Sequence, residues 1–327
     1  MRATRTSSLF LVGWRVAARL PEDVVRAAMH VAADVAWLRR GAGVRRLEAN
    51  LARVRPAATQ RELRQLSRGG MRTYLRYFGE TFMLGRMTPE QLGARVQAEG
   101  VDGIMAEVTI GRSVVLALGH QGNYDLAGAW SSAHLAPVTT VAERLEPPEV
   151  FEEFMRLRES FGLTIIPLDA GSDAFRELLR AVRAGGILVP LLADRDLTAR
   201  GVEVDLFGEV ARVAAGPAVL AVSTGAALFP TTIRHIRLRG ARRRAAGSRW
   251  GIRLTFHPAL RAPDGGPRGE RVQRLTQAWV DVVGADISAH PTHWHMLQKV
   301  FVADLDPERY AATRAGAEPA EPAEEAT

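Results

Sequence analysis

Ser113-Val-Val-Leu-Ala-Leu-Gly119, followed without a break by His120-Gln-Gly-Asn-Tyr-Asp125, decides how the rest of the chain is read. The first seven residues form a short apolar run, rich in β-branched side chains and closed by glycine, which predicts a buried strand. Tyr124 to His134 is a run of good helix formers with apolar spacing, so a helix opens at the turn. His120 then sits at the carboxyl end of a strand, with Asp125 in the first turn of the following helix. In open α/β sheets, ligands bind in the crevice beyond the carboxyl ends of the strands. A histidine and a carboxylate there are candidates for a general base and the group that orients it. The carboxylate would fix the tautomer and stabilise the imidazolium formed as the other ring nitrogen takes a proton. No serine or cysteine nucleophile is embedded in the stretch, so that proton would come from a substrate hydroxyl or water. The plainer alternative is a strand-to-helix turn in which Asp125 complements the helix dipole.

Outward from this stretch the chain alternates. Strands are predicted at Val114–Leu118, Val138–Val141, Thr164–Leu168 and Ile187–Leu192, with helices at Tyr124–His134, Pro148–Phe161 and Ser172–Ala184 between them. Successive βα units of this length imply an α/β fold, with a mostly parallel central sheet flanked by helices. Val202–Phe207, a helix over Pro217–Ser223, two longer strands (Leu228–Arg239 and Trp250–Pro258) and a helix over Glu270–Ile287 complete it. The loop between the longer strands is dense in arginine. Upstream, helices are expected over 8–20, from Pro21 to Arg40, over Val44–Arg55, and from Thr59, a natural N-cap, to Leu84. The chain thus divides into an N-terminal helical region, 1–95, an α/β core, 96–311, and an acidic, Pro/Ala-rich tail, 312–327, expected to be disordered. The first two are expected to pack as one unit.

Composition narrows the function classes. Cysteine is absent, which removes disulfides, thiolate metal sites and cysteine nucleophiles together. The net charge is +7, and Lys299 is the only lysine. Part of the arginine usage reflects an Ala/Arg/Gly-rich coding bias; its crowding into the first quarter of the chain does not. That asymmetry suggests a surface that meets anions. No apolar run approaches the ~20 residues needed to span a bilayer. Ser8–Trp14 resembles a signal-peptide core but is short, ends at Arg15 and lacks a cleavage site, so it is read as retained. Phe10, Trp14, Arg15 and Arg19 are the expected contacts of an amphipathic helix with an anionic membrane. Peripheral attachment at the cytoplasmic face of the cell membrane follows. Nucleic acid is not an expected partner, because no reader motif is present and the arginines are not interleaved with aromatics.

Three other stretches carry residues of catalytic type. Asp194-Arg195-Asp196 follows the apolar run ending at Leu192, so Asp194 is expected to open into the same crevice as His120. Ala221-Val-Ser223-Thr-Gly225 misses the serine-hydrolase elbow, lacking its first glycine and a strand leading into the serine. His290, His293 and His295 match no zinc spacing, so no metal is expected, and His293, Trp294 and Met296 are expected to pack against the sheet.

With these residues in hand, the chain resembles the bacterial lysophospholipid-type acyltransferases. The branch is that of the lipid A lauroyl/myristoyl acyltransferases and the actinobacterial phosphatidylinositol mannoside acyltransferases. The carriers are Leu118-Gly-His120-Gln-Gly-Asn-Tyr-Asp125, which has the family's H-x4-D form, Val141-Ala-Glu143-Arg-Leu, Ala193-Asp194-Arg195-Asp-Leu, Gly201-Val-Glu203-Val-Asp-Leu-Phe-Gly208, Ala215-Gly-Pro-Ala and Trp294-His-Met-Leu-Gln298. The resemblance implies transfer of a fatty acyl group, palmitoyl being expected, from acyl-CoA to a mannose hydroxyl of a phosphatidylinositol mannoside. No cofactor is implied; acyl-CoA is a co-substrate and the acceptor an anionic glycolipid. His120 would be the base and Asp125 its partner, with Glu143 and either Asp194 or Glu203 as acidic residues of the acceptor site. Backbone N–H groups near Gly122, or Arg158 or Arg195, would serve the oxyanion. Another glycolipid, a lysophospholipid, or a non-catalytic membrane-binding role are the alternatives.

Overall fold

A computed structural model describes residues 11–143, 147–168, 173–196, 198 and 200–314. The N-terminal part is helical: residues 11–17 (α1), Glu22–Arg39 (α2), Ala42–Val54 (α3), Gln60–Leu84 (α4) and Pro89–Arg95 (α5). Thr59 caps α4 as the sequence predicts. Its hydroxyl accepts from the Glu62 N–H while the Glu62 carboxylate accepts from the Thr59 N–H. Such reciprocal caps contribute about 1 kcal/mol.

The core then runs β1 (Val96–Glu99), α6 (Val101–Val108), β2 (Val114–Leu118), α7 (Tyr124–His134), β3 (Val138–Glu143), α8 (Pro148–Ser160), β4 (Leu163–Leu168), α9 (Ala174–Ala184) and β5 (Leu188–Leu192). A hairpin, β6 (Val202–Leu206) and β7 (Glu209–Val213), precedes α10 (Gly216–Thr224). After these come β8 (Ala227–Arg237), α11 (Gly240–Ala246), β9 (Trp250–Phe256), α12 (Arg268–Ala289) and α13 (Pro307–Arg314). Seven strands form one sheet in the order β1-β9-β8-β2-β5-β3-β4, parallel throughout except where β9 lies antiparallel to β8. The α/β reading holds. The sequence missed β1, α6 and β7, whose short segments carry little periodicity, while α5 falls within the expected helical region. It also read the arginine-rich stretch after β8 as a loop, although part of it forms α11.

β2 lies at the centre, buried along its whole length between β8 and β5. A parallel strand covered on both faces has to be apolar throughout, which is why Val114–Leu118 shows no alternation. The apolar faces of α7 and α12 pack onto opposite sides of the sheet, in separate core clusters. Ser223 lies in α10, where its hydroxyl accepts a hydrogen bond from Arg268. The helical region is not an appendage. α4 packs on α2 and α3 and also reaches α7, delivering Tyr77 and Glu80 to the crevice side of the sheet.

Candidate active site

Register explains what meets what. Leu118 of β2 is level with Leu192 of β5, so His120 and Asp194, each two residues further on, emerge side by side. The imidazole Nδ1 lies 2.6 Å from Asp194 Oδ1, and the His120 backbone N–H donates to Asp194 Oδ2 at 2.9 Å. A third donor, the Trp294 indole N–H, reaches the same Oδ2 at 2.8 Å. Asp194 is only 3% exposed. Burial pushes its pKa up, but the His120 charge and these three hydrogen bonds outweigh it and hold the carboxyl below its usual value. An ionised Asp194 keeps a proton on Nδ1, which leaves the basic lone pair of the ring on Nε2. The His120 side chain is about one-third exposed, so a reactant can reach it.

Two glycines make room for this pair. A Cβ on Gly119 would stand 3.1 Å from Asp194 Oδ2. Gly122 has φ +57°, and a Cβ there would meet Ile233 Cγ2 at 2.7 Å and its carbonyl oxygen at 2.6 Å. The turn therefore needs glycine at position 122 for conformation and space together.

The structure corrects the expected partner of His120. Asp125 is buried, but its carboxylate turns away, into the layer between α7, α8 and α4. Arg158 Nε donates to its Oδ1 at 2.8 Å and the Tyr77 hydroxyl donates to its Oδ2 at 2.7 Å. Burial and then Asp125 raise the Tyr77 pKa well above normal, so the phenol stays a donor. Burial works against the Arg158 charge, yet Asp125 and the tyrosines more than restore it. The ring of Tyr124 lies between the two pairs, 6.4 Å from the His120 ring and 4.6 Å from that of Tyr77, centroid to centroid.

Behind the turn lies a second buried polar set. The Asn123 side chain caps α7 by accepting the Leu126 N–H, and its amide donates to Glu80 Oε2 at 3.0 Å; His235 Nε2 lies 3.2 Å from the same oxygen. Burial raises the Glu80 pKa, but His235, Asn123 and Arg76 outweigh it and keep the carboxyl lowered. The segment after α12 buttresses the turn from the other side, with the His295 N–H donating to the His120 carbonyl and the Gly122 N–H to that of His293. Trp294 and Met296 are buried in the core, as the sequence predicts. Burial, with neighbouring cations, lowers His293 to about 3 and His295 well below its normal value.

The other expected site residues are dispersed. The Gly122 N–H is already committed to His293 and is not an oxyanion donor as it stands. Arg195 donates to the Lys299 carbonyl at 3.1 Å. Glu203 of β6 pairs with Arg212 of β7 and accepts from the Tyr310 hydroxyl of α13. Glu143 closes β3, but its side chain lies outside the described residues. Phe10 and residues 315–327 lie outside them as well, whereas 312–314, the first residues of the expected disordered tail, end α13. Trp14 is not turned outward; it is 5% exposed and packs on Phe82 and Phe154, whereas Arg15 and Arg19 are exposed. Trp294 and Tyr77 had no local signal beyond the Trp294-His-Met-Leu-Gln298 resemblance. Among the described residues no cluster suited to a metal ion occurs.

The sheet thus holds an accessible histidine against a buried carboxylate at adjoining strand ends. Residues 1–302 match the family described as bacterial lipid A biosynthesis acyltransferase, and the chain belongs to that family. It is 38% identical over 304 residues to a phosphatidylinositol mannoside acyltransferase of Mycolicibacterium smegmatis, covering 92% of this chain and 93% of that protein. It is 39% identical over 316 residues to a protein of the same name from Mycobacterium tuberculosis, covering 95% and 93%.

Proposed function

We propose that this protein transfers a fatty acyl group, palmitoyl by expectation, from acyl-CoA to a mannose hydroxyl of a phosphatidylinositol mannoside, with His120 as general base. The observation that carries the reading is the His120–Asp194 pair, an accessible imidazole held in one tautomer by a buried carboxylate. His120 Nε2 accepts the proton of the acceptor hydroxyl as its oxygen attacks the thioester carbonyl. The tetrahedral intermediate then collapses, the C–S bond breaks and coenzyme A leaves as thiolate or, taking the proton from His120, as thiol. Asp194 stays ionised throughout and stabilises the imidazolium. The acceptor and donor assignments draw on the names of the two relatives and on the family resemblance.

The reaction is assigned to a membrane surface. Val24, Val31, Val35 and Leu38 form an exposed apolar stripe along α2, and Val12, Val16 and Leu20 are exposed around α1, beside Arg15 and Arg19. No helix among the described residues is long and apolar enough to cross a membrane. Interfacial binding by apolar burial plus head-group attraction suits this surface. Val31→Glu with Leu38→Glu should lower co-sedimentation with anionic vesicles; undiminished co-sedimentation would count against attachment through α2.

The test of the reaction is thiol release from palmitoyl-CoA, with and without mannolipid acceptor. Release dependent on the mannolipid, and lowered on the order of 10²–10⁴-fold in His120→Ala, is the expected result. Release supported only by another glycolipid or a lysophospholipid would reassign the acceptor. No release with any of them would overturn the reading.

A further inference from the structure

Many arginines of the N-terminal helices are paired: Arg68 and Arg72 both clamp Asp34, Arg40 and Arg64 reach Glu48, and Arg46 and Arg53 meet Asp304. Around the end of β8 and α11, Arg242 donates to the Val96 carbonyl, but four others are held by no such partner. Arg237, Arg239, Arg243 and Arg249, with Leu238, line a concavity of about 420 Å³. None of these four guanidinium groups makes a hydrogen bond or ion pair among the described residues. Asp23 feels Arg249 and Arg243 only at longer range, because its own carboxylate is held by Arg26.

The concavity is built rather than incidental. Trp250 carries Arg237 4.3 Å and Arg76 3.6 Å from its ring centroid, so two cations are fixed on one indole. Leu238 is buried in the wall. Burial disfavours the charge of Arg76 on that indole, Glu80 partly offsets this, and Arg237 adds repulsion. Four exposed, like-charged groups around one hollow attract an anion into it. Guanidinium forks match the oxygens of a phosphate, which can accept from several at once.

Its position is also informative. Thr231 of β8 is level with Leu118 of β2, so Arg237 lies four residues past the level of His120 along the same strand direction. At ~3.3 Å per residue that is about 13 Å. One elongated ligand could therefore place a reacting end at His120 and a phosphate at the arginines.

We propose that the hollow lined by Arg237, Arg239, Arg243 and Arg249 is a binding subsite for a phosphate ester, separate from the His120 site. Its occupant is either a soluble phosphate ester or the head-group phosphate of a membrane lipid, and the test separates these sources. The full-length protein, Arg243→Gln/Arg249→Gln, and a control with the same charge change on exposed arginines elsewhere, Arg61→Gln/Arg180→Gln, are compared. Binding of free coenzyme A is measured by calorimetry. Binding to phosphatidylcholine vesicles with and without phosphatidylinositol is measured by sedimentation. At least tenfold weaker coenzyme A binding in the pocket variant, with the control unchanged, supports the subsite with a soluble occupant. An equivalent loss confined to phosphatidylinositol vesicles supports it with a lipid occupant. Equal weakening in both variants would reduce the effect to net charge, and no weakening in either would remove the site; both overturn the proposal. The measurement reads binding and not turnover, so failure of the acyl-transfer reading would leave it interpretable.

Discussion

Two carboxylates flank the same turn, and they do different work. Asp125 is five residues from His120 in sequence, yet it faces Arg158 and Tyr77 in the helical layer. Asp194 is 74 residues away, yet parallel pairing of β2 with β5 brings it to the imidazole at 2.6 Å. The helix that starts at Tyr124 carries Asp125 off the sheet end, whereas a neighbouring strand in register delivers its residue to the same level. Adjacency in a parallel sheet is set by strand pairing, so the nearest acid in the sequence is a poor guide to the nearest acid in space. The difference also separates two roles in the structure: Asp194 holds the His120 imidazole in place, and Asp125 neutralises a mostly buried arginine that ties α8 to α4 and α7.

The largest effect that could break this contrast is on turnover. Asp194→Asn loses the ionised acceptor for Nδ1–H and frees the ring to adopt the wrong tautomer. Acyl transfer should fall by a factor approaching that of removing the histidine, on the order of 10²–10⁴. Asp125→Asn should fall by much less, because no bond to the imidazole is touched. Steady-state rates of both variants at matched substrate check the ordering, and a larger loss in Asp125→Asn would reverse the assignment.

Stability should show the opposite ranking. Asp125→Asn leaves the Arg158 charge without its counter-ion and weakens the acceptor of the Tyr77 hydroxyl. A loss on the order of 1–3 kcal/mol is expected, as for a buried polar group deprived of its partner. Chemical denaturation at neutral pH would read it, and an unchanged midpoint would remove the structural role given to that pair.

The smallest expected effect concerns the segment that supports the turn from behind. His293 is held neutral, at about 3, chiefly by burial, and burial likewise holds His295 well below its normal value. Unfolding returns both to ordinary values near 6.5. Below that value the unfolded chain binds more protons than the folded one, so stability should decline as pH falls from about 6.5 toward 3. The melting temperature should therefore be lower at pH 5 than at pH 7, with a shallower decline in His293→Gln. An identical decline in that variant would assign the acid sensitivity to other groups.

Much of the frame was legible in the sequence. The run Val114–Leu118, the glycine-flanked turn and the Thr59 cap announced their structures through composition and spacing. Asp194 was legible as a residue of the same crevice because it follows an apolar strand, but its partner was not. Choosing between Asp125 and Asp194 required the order β8-β2-β5, which no local pattern encodes. Trp294 and Tyr77 were hidden for the same reason, since each reaches the site from a distant element. Trp14 misled differently. A tryptophan in an amphipathic helix suits a membrane interface or a core equally well, and here Phe82 and Phe154 provide the core.

The most direct test of the central claim is a double-mutant cycle on single-turnover acyl transfer, using His120→Ala, Asp194→Asn and the two combined. If Asp194 acts through His120, the double variant should be no slower than His120→Ala alone, because the carboxylate has nothing left to orient. Losses that multiply would show two independent contributions and contradict the pair as the catalytic unit.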